Sequence, residues 1–213
     1  MASRTRDPGH EANRLAALSA TLEQRRLTVR ARIERCALEF FAREGLEAAS
    51  VDAIAGAAGI SRRTFYRYFE SPPDILRAVI NRAMDGWADA VRERPEDEPL
   101  LAAFRAADAR ALGSPESAEP LRLALAVMAR SPDAWARVRG PMQAHATQAY
   151  RAIIARRLAA SGRDPALAGA IAAGLTATMV HLAETAAREG RTLAPEEFEA
   201  TLRACAALIA GDG

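Results

Sequence analysis

The sequence contains no lysine; all 29 of its basic residues are arginine. Arg in place of Lys, together with abundant Ala, points to a GC-rich genome, a codon bias that carries no functional information. Only two cysteines occur, Cys36 and Cys205, far apart and outside any metal-ligand spacing. That excludes a disulfide framework and a cysteine-based zinc site. Aromatic residues are 5% of the chain, so a core must be built mainly from Ala, Leu, Ile and Val. Neither sign of charge dominates: 29 basic against 27 acidic residues give a formal net charge of +2. Electrostatic function therefore depends on where the charges sit. The N-terminus, Met1 to His10, has no apolar run of the kind a secretory signal needs. The longest stretch free of Asp, Glu and Arg runs from Pro165 to Ala183. Its Ala, Gly and Thr give a poor transfer energy into lipid, so a buried helix is expected there and not a membrane span. A cytoplasmic protein without a membrane partner is the expectation.

The 213 residues suit one compact body, or a small head on a larger one. Ala, Leu, Arg and Glu dominate, and β-branched residues nowhere alternate over a strand length. Breakers fall at Gly45, Gly59, Pro72, Pro95, Gly113, Pro132, Gly140, Gly162, Gly190 and Pro195. Between them, apolar residues recur at three- and four-residue spacing, the signature of amphipathic helices. The fold class expected is all-α. A mobile or helical arm spans 1–24, and helices follow at about 26–44, 51–58, 62–69, 72–92, 98–112, 117–130, 132–160 with a break near Pro141, 164–189 and 195–210. Short helices followed by long ones suggest a head over 25–70 and a helical bundle over 71–213. Residues 1–70 hold 12 Arg against 9 acids, and residues 71–213 hold 17 against 18. This modest asymmetry leans toward a nucleic-acid-facing head.

The specific signal lies between Thr28 and Phe69. Ile33, Ala37, Phe40 and Phe41 share one face of the first helix, with Arg30, Arg32, Glu34 and Arg35 mostly on the others. Gly45 ends that helix, and Ser50 suits the N-cap of a second with inner residues Val51, Ile54, Ala55 and Ala58. Gly59 supplies a tight turn, Ile60 an apolar anchor, and Ser61 the cap of a third helix. Two helices joined by a Gly turn form a helix-turn-helix. On the third helix, Phe65 and Phe69 should pack on Phe40 and Ile54. The remaining stripes pair Arg62 with Tyr66, Arg63 with Arg67, and Thr64 with Tyr68. Arg forks onto guanine O6 and N7, Thr meets a thymine methyl, and Tyr hydroxyls reach phosphates. The helix N-termini at Ser50 and Ser61 offer backbone N–H groups to phosphates.

The stretch ALEFFAREGLEAASVDAIAGAAGISRRTFYRYFESPPDIL, Ala37 to Leu76, resembles the DNA-binding domain of the TetR/AcrR family of bacterial transcriptional regulators. The resemblance implies an all-α homodimer. Each protomer would carry a three-helix head and a C-terminal ligand-binding and dimerisation bundle. Most such proteins are repressors released from a DNA operator by a small ligand. It also implies DNA-contact positions at Ser50, Ser61, Arg62, Arg63, Thr64, Tyr66, Arg67 and Tyr68. The family's Ser-Lys-Glu at the next helix start is replaced by Ser71-Pro72-Pro73-Asp74, which removes a Lys near the phosphates. Ser71 is expected to cap that helix, and Arg26 or Arg30 to stand in for the Lys. Arg4, Arg6, Arg14, Arg25 and Arg26 of the arm either reach the adjacent groove or stay solvated.

No phosphate loop, G-x-S-x-G or HExxH motif occurs, and His181 with Glu184 makes only a lone H-x-x-E. Neither enzymatic activity, a metal nor a cofactor is expected. Ala166, Gly169, Ala170, Ala173, Gly174 and Ala177 place small residues at helical spacing. Phe198, Leu202, Cys205, Leu208 and Ile209 form an apolar stripe beyond them. One helix pair from each protomer would make a two-fold four-helix interface. An effector pocket is expected among the middle helices, with Phe104, Leu125, Met128, Trp135, Met142, His145, Met179 and His181 as ligand-binding candidates. Arg105, Arg122, Arg130 and Arg151 are the available countercharges. The effector expected is an acyl-CoA or other lipid-like acid, with a planar aromatic compound on Trp135 or Tyr150 as the competitor. A protein of the same fold without an effector is the alternative.

Overall fold

The computed structural model describes residues 8–111, 115–191 and 193–210, and all the regular structure among them is helical. The arm and the first helix are one element, α1, Pro8–Glu44. No Gly or Pro interrupts the sequence between Gly9 and Gly45, so nothing ends the helix. Residues 1–7, with Arg4 and Arg6, lie outside the described residues. Gly45 has φ +87°, a left-handed conformation that stops α1. Helices α2 (Val51–Ala57) and α3 (Arg62–Tyr66) complete the head. The body follows as α4 (Pro72–Arg92), α5 (Leu100–Ala111), α6 (Pro115–Arg130), α7 (Pro132–Ala160), a 3₁₀ turn at Pro165–Leu167, α8 (Ala168–Arg188) and α9 (Pro195–Ala210).

Two local expectations change. α7 runs unbroken through Pro141, which removes one backbone hydrogen bond without ending the helix. α3 ends at Tyr66 and not near Phe69, because the chain tightens there: Arg67 N–H donates to Thr64 O and Tyr68 N–H to Phe65 O, both three-residue closures.

The core has two parts that meet at α4. The front part joins Ile33, Ala37 and Phe41 of α1 to Ile54, Phe65 and Phe69, and then to Leu76 and Val79 of α4. It continues into the body through Ala124, Val127 and Met128 of α6 and Val138 and Met142 of α7. The parts divided at residue 70 therefore share one core. Phe40, half-buried, packs against it as its spacing predicts. The rear part gathers Trp87, Phe104, Tyr150, Ile154, Ala172 and Phe198. Trp87 sits 4.4 Å from Phe104 and 5.1 Å from Tyr150 between ring centroids. Met84 of α4 packs against both parts and accepts a hydrogen bond from the Tyr150 hydroxyl at 3.3 Å.

The Pro165–Ala186 stretch is long and apolar enough to cross a membrane by length and composition, yet only 17% of it is buried in the protomer. The buried helix expected from its sequence is thus only partly buried. Thr176 and Ala172 point inward, while Ala170, Ala173, Gly174, Ala177 and His181 form an exposed face.

Candidate nucleic-acid interface

The helix-turn-helix is assembled by local hydrogen bonds that its sequence encodes. Ser50 Oγ accepts from Ala53 N–H at 3.1 Å and starts α2. At the far end, Gly59 N–H donates to Gly56 O at 3.1 Å and Ile60 N–H to Ala55 O at 2.9 Å. This doubly closed end needs a left-handed residue, and Gly59 has φ +62°. Ser61 Oγ then accepts from Thr64 N–H at 3.1 Å and starts α3. Phe65 is fully buried and Phe69 nearly so, which fixes the rotation of α3 on the head. Burial of one such ring contributes about 1.5–3 kcal/mol.

That rotation turns Arg62, Arg63, Tyr66 and Arg67 outward, and Tyr66 is one of the exposed large hydrophobic side chains among the described residues. Ser50 and Ser61 are exposed too, and an ion pair between Asp52 and Arg62 brings the N-termini of α2 and α3 together. Thr64 is half-buried, and its hydroxyl lies 3.0 Å from the Ser61 hydroxyl, so its methyl is the group left for contact. Tyr68 follows the helix, half-buried against the core, with the Arg67 guanidinium 5.2 Å from its ring centroid. Of the eight residues expected at the interface, six are exposed, and Thr64 and Tyr68 are half-buried. Asp52 was absent from that set. Its signal was an acid in the first turn of α2, ten residues before Arg62. Tyr66 first, and then Asp52, hold the Arg62 guanidinium above its ordinary value.

The junction with α4 departs from expectation at Ser71. Ser71 occupies the N-cap position but caps no backbone N–H; its hydroxyl donates to Asp74 Oδ2 at 2.7 Å. Arg30 donates from Nε to Glu34 at 3.1 Å and lies 5.3 Å from the Phe69 ring centroid, its side chain still 41% exposed. Of the two expected replacements for the missing Lys, Arg26, beside Glu23, is the more exposed. Glu34 itself, read as a surface residue, is 3% exposed.

The expected effector residues do not form one cluster. Met128 and Met142 are buried in the front core, with Leu125 and Trp135 against it. Phe104 is in the rear core, with Met179 against it. His145 binds Asp85 of α4 through Nε2 at 2.7 Å, and His181 is exposed on α8. Trp135 Nε1 is buried without an acceptor among the described residues. Three of the four countercharges are engaged: Arg105 with Glu199, Arg122 with Glu119, and Arg130 with the Ala42 carbonyl at 3.1 Å. A groove of about 450 Å³ opens between α1 and α4, lined in part by Leu27, Tyr68, Asp74, Asn81 and Asp85, away from the middle helices. The side chains of Cys205, Leu208 and Ile209 lie outside the described residues. No group of three or more potential metal ligands occurs among the described residues.

Residues 35–79 match the family model for bacterial regulatory proteins of the tetR family. The HTH-type transcriptional regulator TcmR of Streptomyces glaucescens is 34% identical over 93 residues, 43% of this chain and 41% of that protein. The match therefore spans about two-fifths of the relative's length. A candidate transcriptional regulator from Pseudomonas aeruginosa PAO1 superposes with a TM-score of 0.53 over 85% of this chain and 88% of its own, at 24% identity. GusR of Salmonella enterica gives a TM-score of 0.50 over 85% and 94%, at 20% identity. At these identities the superpositions speak for the fold alone.

Proposed function

We propose that this chain, a member of the TetR family of bacterial regulatory proteins by the match of its helix-turn-helix head, represses transcription as a homodimer on a near-palindromic DNA operator. The observation that carries the reading is the outward face of α3. Arg62, Arg63, Tyr66 and Arg67 are exposed on a helix whose opposite side is locked by Phe65. An idle surface helix rarely sets three guanidinium groups and an exposed tyrosine on one such anchored turn. Ser50, Ser61 and Tyr68 hold phosphates, and Arg62, Arg63, Thr64 and Arg67 read base edges. The head spans 25–70 and the effector and dimerisation body 71–213. The protein acts in the cytoplasm, where its DNA is, and performs no catalysis.

The dimer forms through α8 and α9. The exposed Ala170, Ala173, Gly174 and Ala177 let a second helix approach closely, which accounts for an apolar helix left uncovered in one protomer. The effector is a small, largely apolar molecule, a lipid-like acid in our preferred reading, bound where the front and rear cores meet α4. Trp135 Nε1, without an acceptor among the described residues, supports a ligand acceptor in the front core. Binding shifts α4 and changes the separation of the two heads.

The test is selection of DNA from a randomised pool by the purified protein at physiological salt, followed by genomic footprinting. A palindrome with half-sites about one helical turn apart is expected. Binding to all DNA alike would reject the repressor reading.

A further inference from the structure

We propose that Asp52, on α2, determines base specificity by holding Arg62 of the reading helix. The proposal rests on the DNA-reading face described above. The three guanidinium groups of α3 and its C-cap residue Arg67 are not equivalent. Arg67 lies over the Tyr68 ring, and Arg63 has no carboxylate partner among the described residues. Arg62 alone of the three meets an acid: its Nη1 donates to Asp52 Oδ2 at 3.2 Å. The two side chains are 61% and 66% exposed, so the pair sits at the surface and not in the core.

A carboxylate on a face that meets a polyanion is unfavourable unless it has a task there. Asp52 stands in the first turn of α2, two residues after the Ser50 cap, so the helix fixes its backbone. A guanidinium has donors on more than one edge. Nη1 is committed to Asp52 and Tyr66 stands beside the same guanidinium, so Arg62 is held from two sides, and donors of its fork not used there can make a paired contact with guanine O6 and N7. The ion pair also restricts the Arg62 side chain before DNA arrives, so less rotamer freedom is lost on binding. The same carboxylate repels backbone phosphates and keeps Arg62 from settling on them. Asp52 thus lowers affinity for DNA in general and sharpens it for one base. It is a positioning residue, acting through Arg62.

The experiment compares wild type, Asp52→Ala, Asp52→Asn, Arg62→Ala and the Asp52→Ala/Arg62→Ala double variant. Each is run through selection from a randomised DNA pool, and its affinity for the selected site and for unrelated DNA is measured against salt. For Asp52→Ala and Asp52→Asn, guanine preference at one position of each half-site should fall about fivefold to tenfold. Affinity for unrelated DNA should rise, with a salt dependence steeper by about one phosphate contact. In the Arg62→Ala background, Asp52→Ala should change base preference no further. A purely structural role would weaken binding to all sequences alike with base preference intact, and that result overturns the proposal. So does an Asp52→Asn profile identical to wild type. If the wild type itself selects no sequence, the DNA-reading face fails and this inference with it; selection by the wild type with unaltered variants removes only the inference.

Discussion

Glu34 of α1 and Arg82 of α4 are joined by two hydrogen bonds, from Nη1 at 2.8 Å and from Nη2 at 2.6 Å, across 48 residues of sequence. The carboxylate is nearly buried and also accepts from Arg30, whereas the Arg82 side chain is 52% exposed. Glu34 chiefly, and against its own partial burial, holds the Arg82 guanidinium above its ordinary value. The pair ties the head to the helix that carries it.

Removing that tie should loosen the head. Glu34→Ala leaves Arg82 without its fork, but solvent reaches the guanidinium and screens the loss, so a cost of about 1–2 kcal/mol is expected. Urea denaturation should show a lower midpoint. Operator affinity should fall without a change in which bases are preferred, because the reading face is untouched. An altered base preference would mean that Glu34 acts on α3 itself.

Arg63→Ala removes the α3 guanidinium that has no carboxylate partner among the described residues. It should cost about 1–3 kcal/mol at one operator position and relax specificity there. Tyr68→Phe should instead weaken binding to all sequences alike, since a phosphate contact carries no base information. Unchanged affinity and preference in Arg63→Ala would show that the reading face is misassigned.

Gly174→Leu tests the dimer with little risk to the protomer. A Cβ at this position would meet no atom within 4 Å, so the isolated chain accommodates a larger side chain. Between two closely crossing helices it would not. Monomers in sedimentation measurements, with helicity by circular dichroism retained, are the expected result. A dimer that survives intact would place the interface elsewhere.

Gly59→Ala should destabilise the head by about 1 kcal/mol, because φ +62° is unfavourable for any residue with a Cβ. No neighbour crowds the added methyl, so the cost is backbone strain alone. Thermal melting of the full chain reads this, and an unchanged midpoint would show that the turn relaxes.

Long-chain acyl-CoA, titrated against the operator complex, tests the effector class. Release of DNA at concentrations that saturate direct binding is expected, and a partner variant, Trp135→Phe, should weaken that release. Direct binding without release, or no binding, would reject lipid-like acids and leave the repressor reading standing.

The sequence by itself determined the helical class and the head. Ser50, Gly59 and Ser61 encode caps and a turn through hydrogen bonds within a few residues of each other, and Phe65 follows from helical period. Such interactions are local, so spacing along the chain is enough to read them. Tertiary structure decided what depends on distant partners. It buried Glu34 beneath Arg82, paired Arg30 with Glu34 over the Phe69 ring, set Asp52 against Arg62, and divided the expected effector residues between two cores. A charged side chain looks the same in sequence whether it is solvated or paired across 48 residues. Its role is fixed only when packing of the apolar faces brings its partner within reach, and that packing is a property of all the helices together.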